Sequence, residues 1–247
     1  MNFKDHFSKH SDLYAQARPG YPDELFHYLA SLTPARSLAW DCGTGNGQAA
    51  VSLSSCFKKV IATDASEAQI KNAKPGEGIE YKVAPSENSG IESGTVDLVT
   101  AAAAVHWFDH EKFYAEVKRV LKPAGIIAVW TYTHTEVNKE VDEVVTELEW
   151  EFLKNYWPPE TQFVMKRYET LPFPFEPIAS PPFKSITQWN LHRLCAYLES
   201  WSATQRYIKA HGENPVIKIL PSLQKAWGDP ADVKTVSWEL AMRLGRR

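Results

Sequence analysis

Apolar residues recur along the first half of the chain in two alternating registers. Short runs buried on both faces, such as Leu38-Ala39-Trp40, Val60-Ile61-Ala62, Val96 to Ala102 and Ile126 to Trp130, read as strands. Between them lie segments with helical spacing: Leu25, Phe26, Leu29 and Leu32 over 23–32, and Phe113, Val117, Val120 and Leu121. Glu80 to Ala84 supplies a further strand. Strands alternating with helices as far as residue 130 predict a parallel, doubly wound sheet. Beyond it the pattern changes. Residues 137–156 predict one long helix (Val141, Val144, Val145, Leu148, Phe152), followed by a proline- and aromatic-rich passage from Trp157 to Pro182. Phe183 to Leu191 predicts a strand, 192–211 and 214–227 predict helices, and Lys234 to Leu244 predicts a last strand. The tail is expected to complete the sheet and to carry two helical excursions, 131–182 and 191–230, as a cap.

One turn in this pattern carries candidate chemistry. Asp41-Cys42-Gly43-Thr44-Gly45-Asn46-Gly47-Gln48 joins the first strand to a helix, with glycine at every second position. Glycines let a ligand approach backbone, and a helix start offers free N–H groups. Asp64 ends the second strand about 20 residues further on, the spacing at which such folds place a carboxylate on ribose hydroxyls; a carboxylate can accept both bonds of a vicinal diol. A dinucleotide-binding, NAD-type loop requires a third glycine where Gln48 stands, and a phosphate-binding loop requires a G-K-[ST] that is missing.

Composition narrows the function classes. A formal charge of −3 gives no field favouring nucleic acid or anionic membrane. The three cysteines, Cys42, Cys56 and Cys195, are scattered without disulfide or metal spacing, and no H-E-x-x-H occurs. No apolar run approaches a membrane span and the polar start lacks a signal-peptide pattern. A soluble cytoplasmic protein without metal, nucleic acid or membrane is the expectation.

Asp-x-Gly-Thr-Gly-x-Gly resembles motif I of the class I S-adenosylmethionine-dependent methyltransferases. Three further features match: Asp64, the His106-Trp107-Phe108-Asp109 phrase after strand four, and Leu121-Lys122-Pro123-Ala124-Gly125 before strand five. Together they span residues 36–130, the expected cofactor-binding core. Tyr14 to Pro22, Ser86-Glu87 and Ser200 to Ala203 resemble more narrowly the trans-aconitate methyltransferase-like branch. The resemblance implies an α/β fold: a Rossmann-like doubly wound, seven-stranded sheet, mostly parallel with its last strand antiparallel, in a single domain over 1–247. It implies S-adenosylmethionine as cofactor, held by Arg18, Asp41, Gly43, Thr44, Gly45, Asp64, Ala65, Ser86, Glu87 and Ala102. Residues 1–22 would be an arm or lid, with Arg18 meeting the cofactor carboxylate. Tyr14, Trp107 and Trp130 would contact substrate, and His106 is the candidate base. Pro85 stands where relatives often place an adenine-holding Asp, so adenine must be held otherwise, for instance by backbone around Ser86. The implied activity is methyl transfer to a small molecule at a carboxylate or hydroxyl oxygen. A module that binds the cofactor without turnover is the alternative from another class, and an NAD-dependent oxidoreductase the weaker enzyme alternative.

Overall fold

The computed structural model describes residues 19–247. Its elements run α1 (Asp23–Leu32), β1 (Leu38–Cys42), α2 (Gln48–Ser54), β2 (Lys59–Asp64), α3 (Glu67–Lys71), β3 (Ile79–Val83), β4 (Val96–Ala102), α4 (His110–Val120) and β5 (Leu121–Glu136). They continue with α5 (Lys139–Glu147), α6 (Thr161–Met165), β6 (Glu176–Pro177), β7 (Lys184–Trp189), α7 (Leu191–Glu199), α8 (Ser202–His211), α9 (Pro215–Trp227) and β8 (Lys234–Arg246). The sheet order is β3-β2-β1-β4-β5-β8-β6, with β7 also on β8. β1 to β5 pair in parallel; β8 runs antiparallel to β5, β6 and β7. β6 and β7 divide one edge of β8 between them, so eight strands fill the seven expected positions.

Alternation along the strands builds a core on each face. Ile126, Ala128, Trp130 and Tyr132 of β5 pack with Leu25, Phe26 and Leu29 of α1 and with Ala49, Ala50 and Leu53 of α2. Ile127 and Val129 pack instead with Phe113, Val117 and Val120 of α4, and with Tyr168 and Leu171. A parallel sheet needs both faces covered, and this division of side chains does it. The strand order reverses at β1, which lies between β2 and β4. Loops after β1 and β4 therefore diverge around a crevice, where open α/β sheets bind ligands.

Beyond residue 130 the structure redraws the expected boundaries. β5 does not stop at Trp130. Antiparallel pairing with β8 extends it to Glu136, across a register irregularity between Tyr132 and Thr135, so 131–136 belong to the sheet rather than the cap. The single helix expected over 137–156 ends at Glu147 and gives way to a π-helical turn, Leu148–Phe152. The helix expected over 192–211 breaks at Ser200-Trp201, where the Leu198 carbonyl accepts from Thr204 Oγ1 rather than continuing the ladder. α5, α7, α8 and α9 pack on one another as the cap.

The third glycine of the loop proves structural. Gly47 has φ +84°, and a Cβ there would lie 2.2 Å from the Tyr81 hydroxyl and 3.0 Å from its Cζ. That hydroxyl donates to the Lys74 carbonyl at 2.6 Å, fixing the ring against the start of α2. Gly47→Ala is expected to lower stability in urea denaturation by about 2 kcal/mol, from left-handed strain plus the clash. Combined with Tyr81→Phe, which removes the nearest atom, part of that loss should return; a purely additive double variant would contradict this account.

Candidate active site

Two turns meet at the crevice, after β1 and after β4. In the first, the amides of Gly43 and Thr44 both donate to the Thr63 carbonyl, at 2.8 and 2.9 Å. This bends the chain back over β2. Gly43 has φ +68°, and a Cβ there would meet Ala104 Cβ at 2.6 Å and Phe108 Cζ at 2.9 Å. Only glycine lets the two turns approach so closely. Gly45, at φ +56°, has open space where its Cβ would be, apart from Gln69 Oε1 at 3.9 Å.

Asp41 ties this turn to β4. Its carboxylate is 1% exposed, with Oδ2 accepting from Thr44 Oγ1 at 2.6 Å and Oδ1 from Thr100 Oγ1 at 2.7 Å. It therefore shapes the loop from beneath. Burial pushes its pKa up to about 6, against the partial relief of the two threonine bonds. Asp64 sits at the loop's mouth, partly exposed; its Oδ2 accepts from the Gly45 amide and its Oδ1 from the Ser66 amide, each at 2.9 Å. Ala65 beside it is partly exposed.

The loop after β3 closes the third side. Pro85 carries no N–H, and its carbonyl accepts from the Asn88 amide. Ser86 donates to the Glu87 carboxylate at 3.1 Å. The segment is pinned from α4: Glu116 Oε1 accepts from both the amide and the hydroxyl of Ser89, and Arg119 donates to Glu116, Ser93 and the Ile91 carbonyl. Burial opposes the Glu116 charge, but Arg119 and Ser89 outweigh it and hold its pKa below the usual carboxylate range.

The turn after β4 has two sides. Ala104 and Phe108 lie against Gly43, whereas Ala103, His106 and Trp107 line a cavity of about 200 Å³ beneath the cap. Ala103 holds φ +51°, unusual for a residue with a side chain, and its amide donates to the Trp130 carbonyl at 2.7 Å. The cavity's other walls include Thr131, Tyr132, His134, Asp142, Glu149, Trp157, Arg167 and Trp201. His106 is 8% exposed and its Nδ1 lies 2.8 Å from the Tyr168 hydroxyl. Tyr168 is fully buried in a left-handed pair with Arg167. β8 clamps that pair: Arg243 donates to the carbonyls of Tyr168 and Glu169, and Arg167 forms a two-point ion pair with Glu239.

The expected site residues thus fall into groups. Gly43, Thr44, Gly45, Asp64, Ala65, Ser86, Glu87 and Ala102 all lie on the turns and strand ends around the crevice, and His106 and Trp107 line the cavity. Tyr14 and Arg18 lie outside the described residues. Trp130 is corrected: it is fully buried, its ring packed edge-on with Phe26 and Tyr21, and it forms no part of the cavity wall. The resemblance implies a substrate contact here, but the pleat turns the ring into the core under α1. Tyr168, Thr100 and Glu116 were not anticipated. Their partners lie 62, 59 and 27 residues away in sequence, and no local spacing marks them. Among the described residues no three His, Cys, Asp or Glu side chains converge as metal ligands, and no helix is long and apolar enough to cross a membrane.

A methyltransferase-domain family profile matches residues 40–129, the same strands and turns. A Dictyostelium discoideum protein classed provisionally as a methyltransferase is 34% identical over 229 residues, 91% of this chain and 87% of that one. The chain belongs to the class I S-adenosylmethionine-dependent methyltransferases. A solved structure from Anaeromyxobacter dehalogenans, described provisionally as a type II methyltransferase, is 42% identical with a TM-score of 0.87, covering 93% of this methyltransferase and 97% of that chain. A Saccharomyces cerevisiae protein classed provisionally as an S-adenosylmethionine-dependent methyltransferase is 31% identical over 132 residues, spanning 50% of this methyltransferase but only 45% of its own length. The family implies S-adenosylmethionine as the methyl donor, and the NAD reading, already weakened at Gln48, falls away.

Asp41 generates a pH prediction. In the unfolded chain it loses its proton near 3.8, whereas folded it holds the proton to about 6. The folded state thus binds more protons in that window, and Asp41's contribution to stability falls as pH rises from about 4 to about 6. Asp41→Asn can still bond both threonines and lacks the charge. Thermal unfolding from pH 4 to 7 should show it gaining on the unsubstituted protein as pH rises, by on the order of 3 kcal/mol in total. A constant difference across the range would refute the buried-charge account.

Proposed function

We propose that this protein transfers a methyl group from S-adenosylmethionine to an oxygen of a small molecule held in the cavity beneath the cap. One observation carries the reading: the segment Ala102–Phe108 presses on the glycine loop with Ala104 and Phe108 and lines the cavity with Ala103, His106 and Trp107. Donor loop and acceptor cavity are two sides of one turn. The crevice fits the donor on its own features. Gly45 leaves its backbone open, Asp64 offers a partly exposed carboxylate at the mouth, and Gln69 presents a buried carbonyl oxygen without a partner among the described residues.

S-adenosylmethionine, when bound, supplies a methyl group already activated on a sulfonium. What is left to the chain is alignment and exclusion of water. Gly43, Thr44, Gly45 and Ala102 would bound the cofactor, Asp64 and Ala65 its ribose and adenine edge, and the Ser86-Glu87 backbone would replace the adenine contact that Pro85 cannot make. Asp41 keeps the loop in shape. The apolar rings of Trp107, Trp157 and Trp201 exclude water from the acceptor. His106 stands where it can take the proton of a hydroxyl acceptor; a carboxylate acceptor needs none. The resemblance to the trans-aconitate methyltransferase-like branch supports an oxygen nucleophile. Turnover, rather than cofactor binding alone, is supported by a walled acceptor cavity on the far side of the donor turn.

Titration calorimetry tests the donor: S-adenosylhomocysteine should bind and NADH should not. Asp64→Ala should weaken S-adenosylhomocysteine by about 2 kcal/mol, roughly 30-fold, through lost charge-assisted bonds and a loosened Gly45 amide. Unchanged affinity would remove Asp64 from the ribose site. Labelled methyl transfer to a panel of small hydroxylated and carboxylated acceptors tests the reaction. With a hydroxyl acceptor, His106→Ala should cost about 100-fold or more in kcat while S-adenosylhomocysteine affinity holds. Full activity on such an acceptor would assign His106 to packing.

A further inference from the structure

The charged groups around the cavity beneath the cap are not evenly matched. Among the described residues, Asp142, Glu149 and Arg167 are its charged lining side chains other than histidine. Arg167 is engaged elsewhere, with its two terminal nitrogens 3.1 and 2.8 Å from the two carboxylate oxygens of Glu239. Asp142 accepts from the Val137 amide at 2.9 Å. Glu149 is different. Its side chain is only 13% exposed, and it is ion-paired to His134, 3.4 Å away and 68% exposed. The contact with Glu149 raises the His134 pKa, yet an imidazole balances a carboxylate only while protonated. A carboxylate so nearly buried gains from any further cation that reaches it.

The backbone that carries Glu149 also places aromatic rings beside it. Glu149 lies in the π-helical turn Leu148–Phe152, where the Leu153 amide donates to the Leu148 carbonyl at 3.0 Å. Such turns are rare in helices and recur at functional sites. The Glu149 carbonyl accepts from the Trp157 indole at 3.4 Å, so one turn holds both a carboxylate and a tryptophan of the cavity lining. The Trp157 ring is 5.6 Å from Trp201, and Trp201 is 5.7 Å from Tyr197; all three line the cavity. A carboxylate among aromatic rings suits an organic cation, because the acid accepts its N–H donors and the rings attract its charge. The same lining repels a second carboxylate, since its one arginine is already paired.

We propose that the methyl acceptor is a small hydroxylated aromatic amine, and that Glu149 receives its ammonium group beside Trp157 and Trp201. This rests on the reading of the cavity as the acceptor site, and it narrows that reading to a class of acceptor. An amine held by a carboxylate keeps its proton and has no lone pair to give, which leaves the hydroxyl as the methyl-accepting atom. The other role for Glu149 is a structural pair with His134. That role brings no preference among acceptors of different charge.

The test uses three probes that share a phenol ring and differ in charge: tyramine, para-ethylphenol and para-hydroxyphenylacetate. Each is titrated by calorimetry into the protein saturated with S-adenosylhomocysteine. Tyramine should bind roughly tenfold or more tightly than para-hydroxyphenylacetate, with para-ethylphenol between them. This comparison in the unsubstituted protein holds whether or not a variant folds. Glu149→Gln should weaken tyramine by roughly tenfold, to the level of para-ethylphenol, with the affinities for para-ethylphenol and S-adenosylhomocysteine unchanged. No detectable binding of tyramine, a carboxylate probe bound as tightly as the amine, or an equal loss for all three probes in the variant would overturn the proposal. Failure of the unsubstituted protein to bind S-adenosylhomocysteine would instead overturn the donor reading, and this inference with it.

Discussion

A carboxylate sealed from water holds the crevice open. Asp41 lies beneath the glycine turn with each oxygen on a threonine, one from the turn itself and one from β4. That places a raised-pKa acid at the one point in the sheet where strand order reverses. The arrangement costs stability at neutral pH, since burial disfavours the charge. What it gives in return is a fixed relation between the two turns that flank the ligand crevice. The Asp41 bonds add a side-chain link to the backbone pairing of β1 with β4, just beneath the Gly43–Ala104 approach.

The glycines then divide the remaining work unequally. Gly43 makes room for the turn after β4, and Gly47 makes room for Tyr81; both are demands of the fold. Gly45 alone leaves open space, and the Asp64 carboxylate and Gln69 carbonyl face the same corner. A motif read as one ligand-binding unit is thus two packing glycines around one that exposes backbone. Substitutions at 43 or 47 would meet both backbone strain and a clash, whereas at 45 the left-handed strain is the only cost within the fold.

This distinction marks the limit of what could be read from the residues in order. The alternation of strand and helix to residue 130, the glycine turn and Asp64 were legible because each is local: periodicity, left-handed turns and an acid at a strand end leave marks within a few residues. The resemblance does not say which way the pleat points a side chain, and Trp130 turns into the core. Tyr168 beside His106, Thr100 beside Asp41 and Glu116 beneath the post-β3 loop depend on pairings across the sheet or from the tail, and nothing near them in sequence announces the partner. The same holds for β5, whose extension to Glu136 is imposed by β8 from the far end of the chain.

The tail therefore does more than complete the sheet. β8 lengthens β5 into the cavity wall at Thr131 and Tyr132, and it clamps the strained Arg167-Tyr168 pair through Glu239 and Arg243. Tyr168 in turn fixes His106 on the turn that separates the glycine loop from the cavity beneath the cap. The glycine-loop side is built from residues 40–129, the span that matches the methyltransferase profile, whereas every other wall of the cavity beneath the cap comes from beyond it. A shared fold with a separately built cap allows the cavity to change without disturbing the glycine loop. His106 is where the two halves meet: its backbone belongs to the turn after β4 and its ring is held by Tyr168 of the tail.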